Sequence, residues 1–137
     1  MELMSFRQFQ VIEDQLEQIL KAITNLQEWN KGIRTAEDYL TSPEGNKTLA
    51  ANCMLIEAIG EGFRRIDSET NSELLINRPE IPWKQVIGMR NRIAHGYFDI
   101  NVDFVWDIVQ NDLQPLYEAT SYLKDHLNEI VSLEEDS

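Results

Sequence analysis

Two guanidinium groups, an imidazole and a phenol fall within the stretch Arg90-Asn91-Arg92-Ile93-Ala94-His95-Gly96-Tyr97. Arginine keeps its positive charge throughout the physiological range and presents a planar fork of donors that suits a phosphate. Histidine has an unperturbed pKa of about 6.5, so it can take or give a proton near neutrality. Together they supply what a phosphodiester cleavage without a metal requires. RNA carries its own nucleophile, the 2′-hydroxyl. His95 could remove that proton or protonate the leaving 5′-oxygen, and Arg90 could stabilise charge building on the phosphoryl oxygens. The product would be a 2′,3′-cyclic phosphate, and DNA, lacking the hydroxyl, would resist. On spacing alone, a histidine stabilising a helix C-terminus beside an arginine in a surface ion pair is the favoured reading.

Position decides whether the two groups can cooperate. Residues five apart on a continuous helix are turned by about 500°, which would leave Arg90 and His95 about 140° apart. Either the helix ends near Ala94 with Gly96 just beyond it, swinging His95 free, or a second copy of the chain supplies the other half of the site. Both arrangements are compatible with each other.

The elements that must hold this stretch read as helices almost throughout. Phe9, Ile12, Leu16, Ile19, Ile23 and Leu26 recur at three- and four-residue steps, which predicts a helix over 6–28. Thr35-Ala36-Glu37-Asp38 has the form of a capping box opening a short helix through Leu40. Ser42-Pro43-Glu44-Gly45 reads as a turn. A helix from about Asn46 to Ile66 follows, with Leu49, Cys53, Ile56, Ile59 or Gly60, and Phe63 on one face. Residues 67–82 are the least regular, with a helical turn expected at 72–76. Pro82 suits the first position of a fourth helix running from Trp83 to about Ala94. The last helix carries Val102, Val105, Trp106, Val109, Leu113, Leu116, Thr120, Leu123, Leu127 and Ile130, and Pro115 predicts a kink near Asn111–Asp112. The reading is an all-α antiparallel bundle of four principal helices plus short helices. It forms a single domain over 1–133, followed by an acidic tail at 134–137.

Composition narrows the function. At 137 residues the chain can bury one core. It has no apolar run of the roughly 20 residues a membrane helix needs and no signal-peptide pattern at its start. Its single cysteine, Cys53, excludes an internal disulfide, reads as a small buried hydrophobe and fits the cytoplasm. The net charge of −12 argues against indiscriminate nucleic-acid binding. Arg64, Arg65, Arg78, Lys84, Arg90 and Arg92 nevertheless make up half of the twelve basic residues, while only Lys124 is basic after Arg92 against ten acidic residues. A local positive site on an acidic body would favour a selected RNA or a basic partner.

The stretch from Ile81-Pro82-Trp83 through Gly88-Met89-Arg90-Asn91 to His95-Gly96-Tyr97 resembles the HEPN superfamily, specifically its HepT-like branch. Thr35-Ala36-Glu37-Asp38-Tyr39-Leu40 and Ile56-Glu57-Ala58-Ile59-Gly60-Glu61 match the same family, and the similarity spans most of the chain. The resemblance implies an all-helical homodimer, HEPN-like, whose two Arg-x4-His motifs face each other in one ribonuclease cleft. Arg90 and His95 would be the catalytic pair, and Asn91 would help hold the segment. The chain would be the toxin of a toxin–antitoxin pair with an RNA substrate such as tRNA or mRNA. Its antitoxin would be a minimal, MntA-like nucleotidyltransferase that transfers AMP from ATP onto Tyr97, placing negative charge in the cleft. The alternative is a non-catalytic helical partner, or substrate-presenting module, of that nucleotidyltransferase.

No metal or cofactor is expected. Glu57 and Glu61 stand one turn apart, but no histidine follows at di-metal spacing. Glu61 reads either as an acid orienting Arg90 or a helix end, or as a solvated glutamate. His126 reads as a surface residue. Trp29, Trp83 and Trp106 could stack bases, yet their spacing favours core or dimer contacts.

Overall fold

In the computed structural model the described residues are 3–93 and 99–133, with Arg90 described by its backbone alone. Apart from one isolated bridge between Met4 and Leu133, their regular structure is helical. Helix α1 (Phe6–Trp29) opens at Ser5, whose hydroxyl accepts the Gln8 amide while the Gln8 side chain returns to the Ser5 amide. That reciprocal box satisfies two of the otherwise orphan donors of the first turn. The stripe Phe9, Ile12, Leu16, Ile19, Ile23 and Leu26 is buried along its whole length.

A 3-10 turn at Ala36–Tyr39 precedes helix α2 (Pro43–Glu69). The Asp38 carboxylate accepts the amides of Arg34 and Thr35, at 2.8 and 3.1 Å, and these bonds hold its pKa below the usual carboxylate value. The expected turn at 42–45 is instead the first turn of α2. Ser42 is the cap, its hydroxyl accepting the Gly45 amide at 2.9 Å, and Pro43 takes the first helical position, where no amide donor is needed. Gly45 is required by crowding: a β-carbon there would run into the Asp38 carbonyl.

Helix α2 runs three residues past the expected end. The irregular stretch then holds its 3-10 turn at Leu75–Asn77 rather than at 72–76. The fourth expected helix is two: α3 (Trp83–Ile87) and α4 (Met89–Ile93). Between them Gly88 adopts φ −92° and ψ 9°, off the helical values, as suits a residue that a helix interior disfavours by about 1 kcal/mol relative to alanine.

The last expected helix is interrupted as Pro115 predicts, by a π-helical turn. Helix α5 (Val102–Asp107) passes into that turn at Ile108–Asp112, then into α6 (Leu113–Asp125). The Leu113 amide reaches back to Ile108, a wider loop than an α-helix makes. His126 ends α6, and α7 (Leu127–Ile130) finishes the series. The Met4 amide donates to the Ser132 carbonyl at 2.7 Å, joining the two ends of the bundle.

Helix α1 packs against α2 and α6, and α2 also carries α3 and α4. The core has one polar knot. Asn30 and Asn52 exchange side-chain hydrogen bonds of 2.9 Å each, and the Tyr39 hydroxyl donates to Asn30 Oδ1 at 2.7 Å. All three residues are buried, and the Trp106 and Tyr39 rings stand nearly perpendicular with their centres 6.2 Å apart.

Candidate active site

Helix α4, which carries Arg90 and Asn91, packs on α2. Among its described side chains Met89 and Ile93 are buried, at 6% and 2% exposure, and anchor it. Asn91 and Arg92 point outward. The seat for α3 and α4 is tight: a β-carbon on Gly60 of α2 would lie 3.2 Å from the carbonyl oxygens of both Val86 and Ile87. Trp83 fixes the start of α3, its indole N–H donating to the Arg78 carbonyl at 3.0 Å and its ring lying 4.9 Å from Phe63.

Beyond α4 the Ile93 carbonyl accepts the Asn101 amide at 2.8 Å. The chain therefore leaves α4 and rejoins the bundle at one point. His95 and Tyr97 lie outside the described residues, as does the acidic tail at 134–137. Glu61 sits exposed on α2, where its carboxylate accepts Arg64 Nε and Nη2 at 3.2 and 2.9 Å. The packing of α4 on α2 thus brings together the helices that carry Arg90, Asn91 and Glu61.

The middle basic group is less positive than its count suggests. Arg64 is paired with Glu61, and Arg78 holds Glu80 at 2.6 Å, drawing the Glu80 pKa down. Two of the three tryptophans serve packing, as their spacing predicts, whereas Trp29 is exposed. Cys53 is half-buried, and burial pushes its thiol pKa up, away from nucleophilic use. His126 stacks on Tyr122 with ring centroids 4.0 Å apart.

The residue spacing gives no sign of a cleft in this region. Beside Arg92 a cleft of about 250 Å³ opens between α2, α3, α4, the π turn and α6. Its walls are apolar, including Ile56, Ile59, Val86 and Leu116, while Gln85, Arg92 and Asp112 add polar groups. The Arg92 guanidinium lies 4.3 Å from the centre of the Phe104 ring and contacts Gln85 Oε1 at 3.4 Å. Burial, then the neighbouring Asp107, push the Asp112 pKa up, against the opposing pull of Arg92. The available signal was Pro115: it marks the helix interruption that places Asp112 here.

The described residues form an all-helical bundle, and comparison with known proteins gives its class. Residues 12–123 match the family model described as ribonuclease HepT-like. The protein named "Probable ribonuclease HepT" of Thermococcus cleftensis is 33% identical over 104 residues, covering 76% of this chain and 87% of that protein. A protein of Caldanaerobacter subterraneus subsp. tengcongensis, an RNase by provisional name, is 29% identical over 74% of this chain and 83% of its own length. A Methanocaldococcus jannaschii protein with the same kind of name is 31% identical over 69% and 80% respectively. No solved structure matches the chain significantly. The chain belongs to the HepT-like ribonuclease family of the HEPN superfamily. No helix among the described residues is long and apolar enough to cross a membrane.

Proposed function

We propose that this protein is a metal-independent endoribonuclease that acts in the cytoplasm as the toxin of a toxin–antitoxin pair. The observation that carries the reading is the Arg90-x4-His95-x-Tyr97 motif, begun on a helix seated on α2, in a chain of this family. His95 takes the proton from the ribose 2′-hydroxyl, whose oxygen then bonds to phosphorus as the bond from phosphorus to the 5′-oxygen breaks. The leaving oxygen is protonated by a second imidazole, which a homodimer would bring to the same cleft. Arg90 stabilises the charge on the phosphoryl oxygens. Asn91 helps hold the segment, and Glu61 orients it from α2.

Control lies at Tyr97. An MntA-like nucleotidyltransferase antitoxin transfers AMP from ATP to its hydroxyl, releasing pyrophosphate. The added phosphate repels RNA from the cleft. The second reading, a non-catalytic partner of that nucleotidyltransferase, is favoured by the −12 net charge and by the ion pairs on Arg64 and Arg78.

The deciding experiment incubates the unmodified protein, its intact mass excluding an adduct on Tyr97, with total RNA and tRNA in EDTA. Cleavage leaving 2′,3′-cyclic phosphate ends is expected, with loss of about 100-fold or more in rate for His95→Ala. Undiminished cleavage by His95→Ala removes that residue from the chemistry, and no cleavage by the unsubstituted protein selects the non-catalytic reading.

A further inference from the structure

The cleft beside Arg92 has the makings of a recognition site. Its volume of about 250 Å³ is below the roughly 300–1,000 Å³ of pockets for drug-sized ligands, so it suits one ring system rather than several. Pro82, Phe104 and Pro115, the accessible apolar residues of the wall, would cover the faces of a planar heterocycle over a floor of Ile56, Ile59, Val86 and Leu116. The Arg92 guanidinium, already laid against Phe104, provides the kind of flat cationic surface on which unstacked RNA bases rest. A π-helical turn forms part of the wall, and such turns recur at functional sites.

The polar groups choose among occupants. Asp112 disfavours a phosphate beside it, whereas the donor edge of a base can meet it. A carboxylate has two acceptor oxygens side by side and, when ionised, no donor. Guanine alone among the four RNA bases presents two adjacent donors, N1–H and the N2 amine, to meet them. Adenine and cytosine offer one exocyclic amine, and uracil one ring N–H. Glu80, the other acid on the wall, is occupied by Arg78.

We propose that this cleft is a nucleobase pocket that takes one unstacked guanine of a single-stranded RNA, its donor edge on Asp112 and its ring against Arg92. The inference rests on the ribonuclease reading and adds to it a base preference, set two residues from Arg90. Asp112 lies exposed at the rim of the cleft, and the partial burial of its carboxylate there raises its pKa against the pull of Arg92.

The test titrates GMP, AMP, CMP and UMP separately into the intact chain with isotope-labelled isoleucine methyls. Ile56, Ile59, Ile81 and Ile108 line the cleft, while Ile12, Ile19 and Ile23 on α1 serve as controls. GMP should shift the first set and spare the second, and Asp112→Asn should weaken GMP by about tenfold or more. Equal shifts from all four nucleotides, no shift at the cleft, or unchanged GMP affinity in Asp112→Asn overturns the proposal. A cleft covered by a second copy of the chain would give the no-shift result. GMP binding without RNA cleavage would defeat the ribonuclease reading and keep the pocket. Cleavage without GMP binding would defeat the pocket alone.

Discussion

The Tyr39 hydroxyl, fully buried, stands between two amides and shows how much one polar contact can govern. Burial pushes its pKa from 10.0 up to about 12, with the Asn52 hydrogen bond pulling the other way. Between those values the folded chain keeps a proton that the unfolded chain has lost. Stability from this group is therefore full below pH 10 and falls as pH rises toward 12. Tyr39→Phe should cost about 1 kcal/mol in urea denaturation at pH 7. The cost stays near the low end because Asn30 Oδ1 still accepts from Asn52. The variant should also lose less stability than the parent between pH 10 and 11, and parallel losses would remove Tyr39 from the alkaline response. The polar knot was hard to read from the sequence because its members sit on three elements. A trace was present: Asn52 lies three residues after Leu49 and four before Ile56, on the buried stripe. The reading gave Cys53 that place. The Arg90–Tyr97 stretch could be singled out because its residue types are neighbours in the sequence, whereas the Asp112 cleft depends on residues from both halves of the chain.

The helices were legible where one apolar face runs unbroken, and their breaks were hidden for the same reason. Val86, Met89 and Ile93 keep a single stripe across Gly88, and Leu123 and Leu127 do so across His126. Periodicity reports which face is buried, and it is blind to a backbone that pauses without turning that face away. Pro43 and Gly45 misled in the other direction, since a proline at the first helical position and a glycine under a carbonyl are both compatible with helix. The seat of α3 on Gly60 yields a test at this scale. The atoms a new β-carbon would meet are backbone carbonyls, which cannot rotate away as a side chain can. Gly60→Ala should lower stability by about 1–3 kcal/mol. Under conditions where the variant remains folded, it should reduce RNA cleavage about tenfold, because α4 follows α3 after one residue. Full kcat/KM at a lowered Tm would show that the α3 seat supports the bundle without positioning the motif.

Across the whole molecule the acidic body sets the terms on which any RNA can be held. Twenty-four acidic residues face twelve basic ones, and the pairs Arg64–Glu61 and Arg78–Glu80 draw on cations near the candidate site. Affinity resting on about two phosphate contacts to a single strand should fall about sevenfold between 50 and 200 mM salt. Binding of RNA by His95→Ala across that range measures it, and a loss beyond about 100-fold would show a broad phosphate-binding surface instead. The acid-rich composition conveyed this balance at once, although which cations were paired depended on the fold. The bond from the Met4 amide to the Ser132 carbonyl gives the bundle a different property. It closes the polypeptide into something near a ring, with Leu3 exposed beside the closure. Two bodies continued from its two sides would leave as neighbours, through one door, rather than from opposite poles of the molecule.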